Sequence, residues 1–323
     1  MKYDVVALGE LLIDFASVSA DSEGYPTMAA HPGGAPANFL AAVNKYGGKA
    51  ALIGKVGDDT FGHLLLNTLK KAGIDTCGMH ITKDFFTTLA FVTFDDKGER
   101  SFAFSRKPGA DTQITFEEID LGMIDDAKVF HFGTLSLTHE PARTATYKAV
   151  EYAKAAGKLI TFDPNLREPL WDSLEEAKKQ MLWGLEQADV VKISDNEVEF
   201  VFGLSPEQGA RHILENFGVK LVFVTCGADG CVFANEKTIG HVLGLKGLHV
   251  IDTTGAGDIF GGSAVCKLLQ YDNAPNELSF NELTDIVSFA CTAAGLSTTK
   301  LGGISSIPEL HEVVRFCNVN SEN

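Results

Sequence analysis

The chain has 323 residues, 45% hydrophobic and 22% charged, close to the soluble globular average, which speaks against a disordered, collagen-like or coiled-coil protein. Its 27 Lys and Arg against 43 Asp and Glu give a formal net charge of −16. A field of that sign repels phosphate backbones and anionic membrane surfaces, so nucleic acid and membrane are not expected partners.

At about 150 residues per domain, the length suits one large domain or two. The first residues reach Glu10 and Asp14 before an apolar run of signal-peptide length develops. No stretch approaches the ~18 apolar residues of a membrane span, and the expected location is cytoplasmic. Short apolar runs follow one another at Val5 to Leu8, Ala51 to Ile53, Val129 to Phe132, Leu159 to Phe162, Val190 to Ile193 and Leu221 to Val224. Helical patterns occupy Ala35 to Tyr46, Phe61 to Ala72, Pro141 to Ala155 and Leu174 to Gln187, then Pro206 to Asn216, Ala256 to Gln270 and Phe280 to Thr299. Apolar runs of this length suit parallel strands covered on both faces by crossover helices. The alternation predicts an α/β fold with a doubly wound, mostly parallel central sheet flanked by helices.

Two segments break the rhythm. Leu11 to Pro32 lacks helical periodicity, and Thr87 to Ser105 alternates (Leu89, Phe91, Phe94, then Phe102, Phe104) around the turn Asp95-Asp96-Lys97-Gly98, a hairpin candidate. Both are expected to form a small antiparallel sheet over one edge of the main domain. The expected division is a main domain of residues 1–10, 34–86 and 113–323, and a small β lid of residues 11–33 and 87–112. The six cysteines (Cys77, Cys226, Cys231, Cys266, Cys291, Cys317) are widely spaced with no C-x-x-C pair, which suits small buried side chains or free thiols. The nine histidines form no metal or triad pattern.

Two glycine motifs carry the chemistry. Gly33-Gly34-Ala35-Pro36-Ala37-Asn38 opens a helix where backbone can approach a ligand closely, with Asn38 offering a donor and an acceptor to hydroxyl groups. Asp252-Thr253-Thr254-Gly255-Ala256-Gly257-Asp258 opens a second helix whose first amides can hold an anion. Asp258, in its first turn, is placed to accept a proton from a hydroxyl attacking a phosphorus held there. Taken alone, the first motif has as its alternative a loop leading into a helix with Pro36 near its first turn, and the second a glycine-rich turn with Asp258 as a helix-favouring acid. Neither G-x-x-x-x-G-K-[ST] nor G-x-G-x-x-G occurs, so neither a P-loop nor a dinucleotide fold is supported.

Together and in this order, about 220 residues apart, the two motifs resemble the signatures of the ribokinase-like (PfkB) carbohydrate kinase family. The similarity extends from Gly9-Glu10-Leu11-Leu12-Ile13-Asp14 to Gly302-Gly303-Ile304-Ser305-Ser306-Ile307-Pro308. Ile53-Gly54-Lys55-Val56-Gly57-Asp58-Asp59, Phe104-Ser105-Arg106-Lys107-Pro108-Gly109-Ala110-Asp111 and Asp163-Pro164-Asn165-Leu166-Arg167 look like the fructokinase branch in particular. The resemblance implies Asp258 as catalytic base, Gly255, Ala256 and Gly257 as anion hole, and Asp14, Gly33, Gly34 and Asn38 as sugar-hydroxyl binders. Phe104 and Arg106 would close over the sugar from the lid. Arg167 lies just past a buried strand, where α/β folds bind ligands, and is a candidate for the transferring phosphate, with a surface pair to Asp163 as its alternative.

Asn196-Glu197-Val198-Glu199 resembles the family's N-x-x-E motif, with Asn196 and Glu199 expected to hold the water shell of Mg²⁺ on a nucleotide. Thr225-Cys226-Gly227-Ala228-Asp229-Gly230 looks like its nucleotide loop, with Thr225, Gly227 and Gly230 contacting ATP. Family members often bind a monovalent cation, here matching Asp252 and Thr254 with Ser297, Lys300, Gly302 and Ser306, so K⁺ is a candidate. The implied function is an ATP-dependent kinase converting D-fructose to D-fructose 6-phosphate. Its alternatives are a kinase of ribose, of a nucleoside or riboside such as aminoimidazole riboside, or of 2-keto-3-deoxygluconate, or a non-catalytic sugar-binding regulator. The edges of the lid suggest a homodimer.

Overall fold

The computed structural model describes residues 1–94 and 100–320; the expected turn at Asp95 to Gly98 lies outside them. Strand β1 (Tyr3–Leu8) is apolar at consecutive positions because both of its faces are covered. Val6 and Leu8 pack with Phe130, Phe132 and Phe162 in one core, and Val5 and Ala7 pack with Leu40, Leu52 and Leu65 in a second.

The chain continues through β2 (Leu12–Ala20), β3 (Pro26–Gly33), α1 (Ala35–Lys45), β4 (Ala50–Gly57), α2 (Thr60–Lys71) and β5 (Asp75–Thr82). Next come β6 (Leu89–Phe94), β7 (Arg100–Ser105), α3 (Leu121–Asp125), β8 (Ala127–Gly133), α4 (Ala142–Ala155) and β9 (Leu159–Asp163). The third stretch holds α5 (Leu174–Gln187), β10 (Val190–Ser194), α6 (Asp195–Phe202), α7 (Pro206–Phe217) and β11 (Leu221–Thr225). The last contains β12 (Cys231–Asn235), β13 (Ile239–Val242), α8 (Ala256–Leu268), α9 (Phe280–Ser297) and α10 (Leu310–Asn320). Side chains start several of these helices. Asp59 accepts from the amides of Phe61 and Gly62 at the head of α2, and Ser194 with Glu197 forms a reciprocal capping box on α6.

Nine strands form the main sheet in the order β13-β12-β11-β10-β9-β8-β1-β4-β5. All pairs from β11 to β5 are parallel, and β12 and β13 close the sheet as an antiparallel hairpin. The doubly wound, mostly parallel α/β sheet is therefore present. Its strand order reverses at β1, between β8 and β4, which is where such sheets open a crevice at their carboxyl ends. A third core under α8 and α9 contains Phe223, Phe233, Phe260 and Ile286.

The two irregular segments form a separate four-stranded sheet, β3-β2-β6-β7. Its two hairpins are antiparallel and join through a parallel pairing of β2 with β6. Phe15 on β2 stacks on Phe91 of β6 and meets Phe61 of α2 edge-on, which ties this sheet to the main one. Among the described residues no helix is long and apolar enough to cross a membrane.

Candidate active site

The segments that follow the carboxyl ends of β1, β9, β10 and β11 converge on the head of α8. Gly255, its N-cap, has φ 75 and gives the helix no side-chain cap. An L residue is strained in that conformation, and a Cβ there would come 3.0 Å from both Asn38 Nδ2 and the Gly303 Cα. The uncapped first turn offers its amides to an anion. Three residues on, Asp258 is 8% exposed, and its two oxygens accept from different amides: Oδ2 from Asn38 Nδ2 at 2.9 Å, and Oδ1 from Asn165 Nδ2 at 3.2 Å. Burial pushes the Asp258 carboxyl up, while the Asn38 hydrogen bond and the charges of Lys192 and Arg167 pull it back. Each oxygen keeps a further lone pair, so the group can still receive a proton from a ligand hydroxyl.

On the other side stand Asp14 and the start of α1. In the β2–β3 ladder Leu12 faces Gly33 and Asp14 faces His31. A Cβ at Gly33 would fall 2.1 Å from Asp14 Oδ2, so the absence of a side chain there leaves room for the carboxylate. Burial pushes Asp14 up to about 6, with the Arg167 charge pulling it down and Asp258 and Asp252 pushing it further up. These four charged residues, all expected at the site, therefore share one electrostatic neighbourhood. Gly34 is the N-cap of α1, and the amide of Ala35 donates to the buried Glu10 at 2.8 Å. Asn38 Oδ1 is buried and finds no partner in the protein, which suits an acceptor for a ligand hydroxyl.

Arg167 is half-buried, and its Nη1 donates to Asn165 Oδ1 at 2.6 Å and to the Leu166 carbonyl at 3.1 Å. The alternative of an Asp163–Arg167 surface pair is not what forms, because Asp163 is buried and takes Lys192 Nζ at 3.0 Å. Burial alone would push Lys192 down, but the charges of Asp163, Glu197 and Asp258 outweigh it and hold the ammonium above its ordinary value. A cation is thereby fixed beneath the Gly255–Gly257 turn, where a Cβ on Gly257 would lie 3.0 Å from Lys192 Nζ.

The expected pair Asn196 and Glu199 shares one face of α6, and neither is buried. The acid that turns inward is Glu197: it receives the Ser194 amide at 2.8 Å and the Leu166 amide at 2.7 Å, and its charge reaches Asp258. Sequence reasoning misses Glu197, Lys192 and Asn165. The Ser194-x-x-Glu197 capping spacing marks the first of them, whereas the other two become visible only once β9 and β10 lie side by side. Among the described residues no cluster of three or more His, Cys, Asp or Glu side chains is set to hold a metal.

Beyond the α8 turn lies a cleft of about 420 Å³ lined by Thr225, Gly227, Gly230, Leu248, Ala256 and Gly257, with Ala294 and Cys291 at its apolar wall. Thr225, Gly227 and Gly230, expected to contact a nucleotide, thus share one cavity that ends at Ala256 and Gly257 of the α8 turn. Behind the turn, Asp252 Oδ1 accepts from the amide and hydroxyl of Thr254, and Oδ2 accepts from the Gly302 amide at 2.9 Å. Ser297 Oγ donates to the Ala294 carbonyl, Ser306 Oγ to the Gly303 carbonyl, and Lys300 Nζ lies 3.8 Å from Glu312. Asp252, Thr254 and Gly302 therefore form one knot of chain. Lys300 is drawn toward α10 through its side chain.

Of the two lid residues, Phe104 is half-buried on β7, opposite Ala90. Arg106 is the other residue expected over the sugar. It is 3% exposed and spends its guanidinium on Asp111, Thr138 Oγ1 and the Leu135 carbonyl. Its charge pins the end of β7 to the main domain, because a buried guanidinium is stable only where most of its five donors are matched.

A sequence model described as "pfkB family carbohydrate kinase" matches residues 2–310. The chain is 43% identical over 315 residues to fructokinase-2 of Solanum lycopersicum, covering 96% of this chain and 94% of that one. A fructokinase crystal structure with bound ATP from Xylella fastidiosa superimposes with TM-score 0.90 at 30% identity, over 99% of this chain and 100% of the other. A double mutant of the Vibrio cholerae O395 fructokinase, bound to fructose, ADP and a potassium ion, superimposes with TM-score 0.86 at 31% identity, over 98% and 99% of the two chains.

Proposed function

This chain belongs to the pfkB family of carbohydrate kinases, and from that premise we propose that it transfers the γ-phosphoryl group of ATP to the 6-hydroxyl of D-fructose. The observation that carries the reading is Asp258: a buried carboxylate at the head of α8, between the Asp14–Asn38 side and the 420 Å³ cleft. The fructokinase names of the relatives support fructose as the sugar.

In this reading Asp14 and the free Asn38 Oδ1 accept hydroxyl hydrogens of the sugar and orient it. Asp258 takes the proton of the 6-hydroxyl as its oxygen bonds to the γ-phosphorus, and the bond from that phosphorus to the bridging oxygen breaks to release ADP. The Gly255 to Gly257 turn, Arg167 and the buried Lys192 stabilise the charge on the transferring group. Thr225, Gly227 and Gly230 line the nucleotide side. Mg²⁺ offsets phosphate charge when it enters with ATP and keeps most of its water shell, so it needs few protein ligands. Asn196 and Glu199, exposed on α6, are the side chains proposed to hold that water shell. The Asp252–Thr254–Gly302 knot is the proposed seat of K⁺, in keeping with the potassium ion of the Vibrio relative.

The small sheet, with Phe104, is proposed as a lid that excludes water as a competing acceptor. Its residues are those of 11–33 and 87–112, with the rest of the chain as the main domain. The outer strands β3 and β7 are edges, and we propose that they pair the chain into a homodimer in the cytoplasm. A sedimentation run giving a monomer at every concentration would remove the dimer. The function is tested with ATP against D-fructose, ribose, aminoimidazole riboside and 2-keto-3-deoxygluconate, with and without K⁺. D-Fructose is expected to have the highest kcat/KM, and a higher value for any other sugar overturns the assignment. Asp258→Asn is expected to abolish turnover while ATP still binds; unchanged turnover would take Asp258 out of the mechanism.

A further inference from the structure

Among the described residues, Asn165 is the one non-glycine residue with positive φ, 47°. A left-handed backbone costs most side chains about 1 kcal/mol or more, and Asn is among the few that tolerate it. Here the conformation has a structural consequence. It turns the side-chain amide so that Nδ2 donates to Asp258 Oδ1 at 3.2 Å while Oδ1 accepts from Arg167 Nη1 at 2.6 Å. Asn38 Nδ2 holds the other oxygen of Asp258 at 2.9 Å. One amide is thus joined at its two ends to the base and to the arginine.

We propose that Asn165 is a positioning residue that couples the two halves of the transfer site, fixing the Asp258 carboxylate and the Arg167 guanidinium in one rigid geometry. An amide is the side chain suited to the task, since it donates at one end and accepts at the other. A carboxylate in its place could receive Arg167 but would repel Asp258, and an aliphatic residue could do neither. This inference rests on Asp258 as the base in the proposed kinase reaction, but it does not depend on which sugar is the acceptor.

The charges that face Asp258 are Lys192 from β10, Asp163 at the end of β9, Arg167 from the following loop, Glu197 from α6 and Asp14 from β2. Asn165 adds a donated hydrogen bond to that set, and such a bond favours the ionised carboxylate. Removing it should raise the pH at which Asp258 gives up its proton.

The conformation supplies a clean variant. Glycine adopts positive φ without strain, so Asn165→Gly removes the amide while leaving the turn intact. Its melting temperature is expected to stay within a few degrees of the wild type. With whichever sugar the wild type phosphorylates best, kcat should fall about ten- to hundredfold, the loss of a hydrogen bond to a charged group. KM should change much less, because the Asn165 amide is bonded to Asp258 and Arg167 and is not among the proposed sugar-binding side chains, and the acid limb of kcat/KM should move to higher pH. Asn165→Asp, which keeps the shape and loses the donor, should be at least as impaired. A carboxyl NMR titration of Asp258 in selectively labelled wild type and Asn165→Gly reads the same effect without turnover, with a higher midpoint in the variant. If Asn165→Asp keeps the wild-type rate and pH profile, shape alone matters and the coupling is refuted. Equal midpoints for Asp258 in wild type and Asn165→Gly refute it as well. Absence of any kinase activity in the wild type would instead overturn the proposed function and leave the NMR comparison to decide on Asn165.

Discussion

Asp14 gives the sharpest quantitative test, because its environment sets stability against function. Burial pushes its carboxyl to about 6 from an ordinary 3.8, and each tenfold change in an ionisation equilibrium is worth about 1.36 kcal/mol. The native state therefore resists ionising this group by about 3 kcal/mol. The sign follows from proton counting. Between pH 3.8 and about 6 the unfolded chain has released this proton while the native chain keeps it, so stability falls as pH rises through that window. Above about 6 the full cost is present. Asp14→Asn cannot ionise and avoids it, so at pH 8 the variant should be more stable by up to about 3 kcal/mol, or about 4 °C in melting temperature for a chain of this size. The gain should shrink toward zero at pH 4, where the native aspartate is neutral like the asparagine. In the same variant kcat/KM for the sugar should fall about ten- to hundredfold, as expected for weakening hydrogen bonds to a charged acceptor. Thermal melts of both proteins at pH 4, 6 and 8, with kinetics at pH 8, test all of this. A gain that is absent at pH 8, or equally large at pH 4, refutes the argument that burial of an ionised Asp14 is costly.

The Lys192–Asp163 pair should behave as a buried ion pair. Lys192→Met alone strands a buried carboxylate and should destabilise by about 3–5 kcal/mol, whereas Lys192→Met with Asp163→Leu should recover most of that loss; urea unfolding of the three proteins decides, and a single variant as stable as the wild type contradicts it. In the 420 Å³ cleft proposed to take the nucleotide, Ala294→Trp places a large ring against the apolar wall beside Cys291. Its KM for ATP should rise at least about tenfold at nearly unchanged sugar KM, since lost binding that is equal in ground and transition states appears in KM; an unchanged ATP KM would move the nucleotide elsewhere.

The α/β architecture was legible because it is written in local pattern. Consecutive apolar residues at Val5 to Leu8 or Val129 to Phe132 suit strands covered on both faces, and the helices between them carry the 3.6-residue period. Elements without such a signal were not anticipated: β5 is mostly half-buried or exposed, and α10 follows a loop at the end of the chain. The glycine motifs were legible for a related reason, since Gly33 and Gly255 mark places where a Cβ has no room or the backbone turns left-handed.

What the sequence could not supply was the direction of side chains. Local spacing put Asn196 and Glu199 on one face of α6 but did not say that this face stays open while Glu197 turns inward. Arg106 reads from the sequence as a residue closing over the sugar, and only the fold brings Asp111, Thr138 and Leu135 around it. The same holds for Asp258. Its place at a helix start is a property of seven consecutive residues, but its two hydrogen bonds come from Asn38, 220 residues away, and Asn165, 93 residues away. Periodicity and backbone conformation act over a few residues and can be read along the chain. Burial, charge pairing and the aim of a side chain depend on which distant segments the closed fold packs together, and those the tertiary structure alone decides.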